Sequence, residues 1–296
     1  MMWFRPTAAA ATSLLLLSVS ACGSQSSPKA TPDPEAAPAE ITARDFDRKN
    51  FDRSTVIDNE WFPLRPGTQL VTEGSTLEDG KRVAHRLVFT VTDLTKVIAG
   101  VRTLVIWDRD YSAGHLVETE LAFFAQDKAG NVWELGEHPE AYEEGKLVES
   151  PTWIHRVKGA RAGLSMKAEP RPGASSYSLG WGPAVGFNDR AKVRKVGRRM
   201  CVPLRCYEDV LVVAEFNPDE PGRYQLKYYA RGVGNVRVGW EGAKDTSKET
   251  LALVRVVRLS PAALMKVRAE ALKLEKNAYR ISKEVYGRTP PAKAAA

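Results

Sequence analysis

The chain has 296 residues, 43 Lys and Arg against 36 Asp and Glu, a formal net charge of +7 at pH 7, and only three cysteines. No nucleic-acid recognition module accompanies the positive charge, which disfavours nucleic acid as a partner. The excess is concentrated at the end of the chain, where eight basic residues after Pro261 face three acids and leave +5.

The first element is an export signal. Arg5 is followed by Ala8 to Ala21, a charge-free run of 14 residues that includes Leu14 to Leu17. It is shorter than the roughly 20 residues a bilayer span needs, and the positive, apolar, small-residue order is that of a secretory signal peptide. Its end, Val19-Ser20-Ala21-Cys22, resembles the lipobox of bacterial lipoproteins. The resemblance implies that residues 1–21 are removed and that Cys22 is acylated, making the membrane its first partner. An ordinary cleaved signal with an incidental Cys22 is the alternative.

Residues 22–40 then read as a lipid-anchored linker. From Gly23 to Glu40 they are rich in Pro, Ala and Ser and hold no large apolar side chain, so they cannot build a core. Extended, they reach at most about 60 Å.

From 41 to 260 the chain alternates β-rich runs with Gly, Asp or Pro turns, the pattern of an antiparallel meander. The predicted strands are 68–73, 82–92, 101–110, 116–126, 131–135, 192–200, 210–216, 223–230, 235–240 and 249–259. Residues 136–191 are rich in Gly and Pro and predict long loops. About ten strands and no helical period between them predict a mainly β fold, a curved sheet or incomplete barrel. Val83, Leu87, Phe89 and Val91 share one strand face, which His85 interrupts.

Cys201 and Cys206 are separated by four residues. A disulfide across a tight turn, two free thiols, or a metal site needing two more ligands are the readings open to them.

Ser260-Pro261 supplies an N-cap and a proline at the first helical position. Leu264, Val267, Ala271, Leu274, Ala278, Ile281 and Val285 follow at alternating steps of three and four. This predicts a long amphipathic, basic helix from 261, with a disordered tail to 296. Its stripe can dock on the sheet, pair with a second helix or lie on a membrane, and its basic face suits an anionic envelope surface.

Three stretches resemble a family of secreted, functionally uncharacterised bacterial proteins related to TapB-like domains. They are Ile57 to Thr68, with the turn Phe62-Pro63-Leu64-Arg65-Pro66-Gly67-Thr68; Ala125 to Trp133; and Tyr228 to Val236, where Arg231 replaces the usual proline. A further departure is Arg205, followed by Cys206, where the family places a turn glycine. The resemblance implies a curved antiparallel sheet and no assigned activity. Within these stretches Gly67, Gly130, Gly232 and Gly234 are turn positions. Asp127 with Asn131 reads as turn chemistry, since the twelve-residue calcium-loop pattern is missing.

No nucleophile elbow, P-loop or zincin motif occurs. His85, His115, His138 and His155 make no metal spacing, so neither catalytic nor metal residues nor a cofactor are assigned. Glu118 and Glu120 share a strand face, compatible with paired-carboxylate chemistry or with a solvent-facing edge. The functional expectation is a non-enzymatic, extracytoplasmic envelope lipoprotein binding a lipid or other apolar ligand, or an envelope partner. A structural or adhesive module and a cell-wall hydrolase with a site in 136–191 are the alternatives.

Overall fold

β-branched and aromatic residues at period two, punctuated by turn residues, dictate strands, and each of the ten predicted strands forms. In the computed structural model, which describes residues 42–295, they are joined by six more. In chain order these are β1 (Thr68–Glu78), β2 (Lys81–Ile98), β3 (Val101–Ser112), β4 (His115–Gln126), β5 (Val132–Glu143), β6 (Lys146–Glu149), β7 (Trp153–Ile154) and β8 (Arg161–Met166). They continue as β9 (Tyr177–Ser178), β10 (Gly180–Trp181), β11 (Arg190–Cys201), β12 (Cys206–Phe216), β13 (Tyr224–Ala230), β14 (Gly234–Glu241), β15 (Thr250–Arg258) and β16 (Lys293–Ala294). The signal sequence, Cys22 and the linker lie outside the described residues.

The count corrects the expectation of about ten. The added strands β6 to β10 fall in the Gly- and Pro-rich stretch predicted to be loops. Most are two to four residues long, and a strand that short carries no readable period.

All pairs are antiparallel, and hairpin neighbours pair along most of the sheet. β9 and β10 are halves of one extended segment: Tyr177 and Ser178 pair with β11, while Gly180 and Trp181 pair with β8. That segment joins the two edges of the sheet, so the incomplete barrel of the sequence reading is nearly closed. Closure needs Gly163 on β8, where a Cβ would lie 2.1 Å from the Leu179 carbonyl carbon.

Register fixes which residues face inward, because directly paired residues share a face. Asp108 pairs with Glu120 and Asp110 with Glu118. Ala122 pairs with Glu137 and Phe124 with Glu134, and Leu87 pairs with Asp110. These all face the interior, together with Lys227, which pairs with Val213 and Val238. Phe62, from the segment before β1, fills the centre against Phe89, Phe124 and Tyr229, with ring centroids 5.6 to 6.1 Å apart.

The helix α1 (Pro261–Ile281) starts where Ser260 Oγ accepts from the Ala263 N–H. After a break at Ser282 a last turn, α2 (Lys283–Tyr286), follows. Val267, Ala271, Leu274 and Ala278 are buried, and α1 packs on β2 and β4 from outside. The stripe therefore docks on the sheet. Residues 287–295, for which composition predicts disorder, instead return to the barrel: Lys293 and Ala294 pair with Thr95 and Leu94 of β2. The Tyr286 ring, fully buried under this return, anchors it.

Candidate functional site in the barrel interior

Three consecutive strands each put two acids on the inner face: Asp108 and Asp110 from β3, Glu118 and Glu120 from β4, Glu134 and Glu137 from β5. The register shift between Ala122 and Phe124 is what brings Glu134 and Glu137, three residues apart, onto one side. Carboxylate oxygens of Glu120, Glu134 and Glu137 lie within 4.8 Å of one another. All three residues are buried. Glu118 and Glu120 are thus interior groups and not a solvent-facing edge.

A second cluster lies beside the first. His85 Nε2 is 2.7 Å from Asp110 Oδ1 and 3.4 Å from Glu249 Oε1, and Gln225 donates to Glu249. From the far wall Lys227 Nζ reaches Glu215 Oε2 at 2.7 Å.

The electrostatics follow from burial and like charge. Burial, then Glu120 and Asp110, push the Asp108 carboxyl up to about 7. Burial with Glu120 near also pushes Glu137 up to about 7. Burial and neighbouring carboxylates hold Glu118 and Glu134 well above the usual range. Burial raises Glu249 despite His85. Burial would lower Lys227, but Glu215 outweighs it and holds the ammonium well above its ordinary value. His85 is likewise raised, with Asp110 overcoming the effect of burial.

Such an interior is a reservoir of protons or a seat for positive charge. Three carboxylates at this spacing fit a hard, oxygen-seeking divalent cation. The His85, Asp110 and Glu249 set adds one nitrogen donor.

The sequence reading missed this site. Its signal was present in the paired acids 108/110 and 118/120 and in Glu134 on successive predicted strands, with Glu137 just beyond the predicted end of the third. Only the register, and for 134/137 the bulge, shows that they converge.

The turn residues singled out from sequence sit elsewhere and are structural. Asp127 accepts from the Ala129 and Asn131 backbone N–H groups, from Asn131 Nδ2 and from Trp133 Nε1. Gly67, Gly130, Gly232 and Gly234 all have positive φ. The three resembling stretches clasp one another: Asn59 Nδ2 donates to the Gly130 carbonyl, and Gly232 N–H to the Glu60 carbonyl. Arg231, in place of proline, pairs with Glu60 and lies 4.1 Å above the Trp61 ring. Cys201 and Cys206 form a disulfide, and Val202 N–H donates to the Arg205 carbonyl across the turn. Arg205 does not take positive φ, so no glycine is required there.

The other histidines stand apart from the interior acids. His138 is buried between Thr152 and Glu140 on the outer face. Burial and then Arg156 push His155 down to about 4.

The structure defines a nearly closed antiparallel barrel with an acidic interior and an external C-terminal helix. No family profile and no curated protein matches the chain. Two solved structures are similar in part. One is a Bacteroides fragilis protein described as exported and of YmcC-like fold, with 14% identity and a TM-score of 0.39, covering 67% of this chain and 99% of its own. The other is a Parabacteroides distasonis protein described as a lipoprotein, with 12% identity and a TM-score of 0.38, covering 68% of this chain and 100% of its own. Likenesses at these values carry no argument about function. Among the described residues no helix is long and apolar enough to cross a membrane.

Proposed function

We propose that the protein is an extracytoplasmic lipoprotein, held to a membrane by acylated Cys22, whose barrel interior binds a positively charged polar ligand. A hard divalent cation is the simplest such ligand. The observation that carries the reading is the convergence of Glu120, Glu134 and Glu137 on one buried point, where burial and mutual repulsion oppose ionisation. A bound cation offsets both costs.

The same observation argues against the apolar ligand expected from sequence, because a lipid chain in this interior would leave buried carboxylates without solvation. The test is native mass spectrometry, with organic extraction, of the mature chain exported with Cys22→Ser. Co-purified or added divalent cation at one per chain supports the proposal. A stoichiometric lipid inside a cation-free protein overturns it.

Hydrolysis is a second reading, favoured by Asp108 and Glu137, whose carboxyls sit at about 7 as a general acid requires. Glu137 opens the 136–191 stretch to which the sequence assigned such a site, but its acidic neighbours come from β3 and β4. Release of reducing ends from cell-wall glycan, abolished in Glu137→Gln, is the outcome that would favour it.

A further inference from the structure

The acidic half of the barrel has a counterpart at its opposite mouth. Along the inner side of β1 the positions run from Gly74, opposite His85, through Thr72 and Leu70 to Thr68. Beyond the Phe62 cluster a cavity of about 420 Å³ opens at the Thr68 end.

Its walls come from four separate stretches: the Arg65 turn, β1 with β15, the Val233 turn and the disulfide turn at Arg205. Three arginines, Arg65, Arg205 and Arg258, line it. No described acid lies within ion-pair distance of any of them. Arg258 donates to Thr68 Oγ1, and Arg205 lies 4.7 Å above the Tyr207 ring. Tyr207, also in the wall, is 7% exposed, and its buried hydroxyl has no hydrogen-bond partner.

Three unpaired guanidinium groups around one cavity are a phosphate-recognition arrangement, since each presents a planar fork of donors to tetrahedral oxygens. Leu204 and Val256, each 40% exposed, border the same space and offer an apolar lip.

We propose that this mouth binds a terminal phosphate group, one that carries no second ester. The group can belong to a lipid headgroup or to a free phosphorylated compound, and the chemistry at the arginines is the same. The proposal is independent of the cation reading, because no residue is shared between the two sites.

The experiment is calorimetric titration of the full chain, purified in neutral detergent, at constant ionic strength. The probes are inorganic phosphate, dihexanoyl phosphatidate and dihexanoyl phosphatidylcholine. The expected result is saturable phosphatidate binding, at least tenfold weaker in the Arg65→Gln, Arg205→Gln, Arg258→Gln triple variant. All three side chains are exposed, so the triple variant is expected to keep the wild-type melting temperature. Phosphate binding as tightly as phosphatidate identifies the free group as the ligand, and tighter phosphatidate binding identifies the lipid. Absence of binding by both anions, binding unchanged in a folded triple variant, or equal binding of phosphatidylcholine overturns the proposal.

Discussion

Lys96 and Glu275 form a buried ion pair, 2.8 Å from Nζ to Oε1, that fastens the C-terminal helix to the outside of β2. The Lys96 side chain is fully buried. It also donates to the Tyr279 hydroxyl and the Pro290 carbonyl, and lies 4.2 Å above the Tyr286 ring. The ammonium therefore has its donors satisfied, as a buried charge must. Glu275 in turn accepts from the Ala292 N–H, tying the tail to the same point.

Removing one partner leaves the other charge buried and alone. Lys96→Met or Glu275→Leu is expected to destabilise the protein by about 3–5 kcal/mol, whereas the double variant recovers most of that loss. Chemical denaturation of the three variants measures the coupling directly.

The raised interior carboxyls set the sign of the pH response. A group such as Glu137, at about 7 in the fold against about 4.3 unfolded, holds its proton more tightly when folded. Its stabilising contribution is present below the unfolded value and is lost as pH rises towards 7. The cation-free wild type should therefore lose melting temperature between about pH 5 and 8 relative to Glu137→Gln. Added divalent cation should restore it most strongly at the alkaline end. Scanning calorimetry across that range, with and without chelator, checks both effects.

Asp127 tests whether its hairpin is a turn or a calcium loop. Four donors converge on its carboxylate, so Asp127→Ala should cost on the order of 3 kcal/mol. The loss should be the same in chelator and in calcium, and a calcium-dependent loss would reveal an ion there.

The disulfide closes a short loop, and chain entropy gives it about 2 kcal/mol. Cys201→Ser with Cys206→Ser should lower the unfolding free energy by that amount, read as a lower denaturation midpoint at unchanged slope.

Much of the fold was legible in the sequence for physical reasons. Leu87, Phe89 and Val91 alternate over a strand long enough to show a period, and Ser260-Pro261 caps the helix as read. The docking of that helix was only one of three options, because an apolar stripe does not name its partner. Lys96 would have named it, but a lone lysine in a strand looks solvent-exposed until Glu275 is seen across from it. Closure was hidden in Tyr177 to Trp181, five residues without a period whose strand character comes entirely from the two edges they join. The candidate site was half visible: 108/110 and 118/120 can be read at period two, but 134/137 needs the bulge, and that β3, β4 and β5 stack their acids at one level is a matter of register.

The most direct measurement is calcium and manganese titration by calorimetry into the chelator-treated mature chain carrying Cys22→Ser, at pH 7.5. A single saturable site, weakened at least tenfold in Glu134→Gln and in Glu137→Gln while both variants melt at or above the wild-type temperature without metal, is the expected result. No binding of either cation by the folded wild type, or binding indifferent to both substitutions, contradicts the assignment of Glu120, Glu134 and Glu137 as a cation seat.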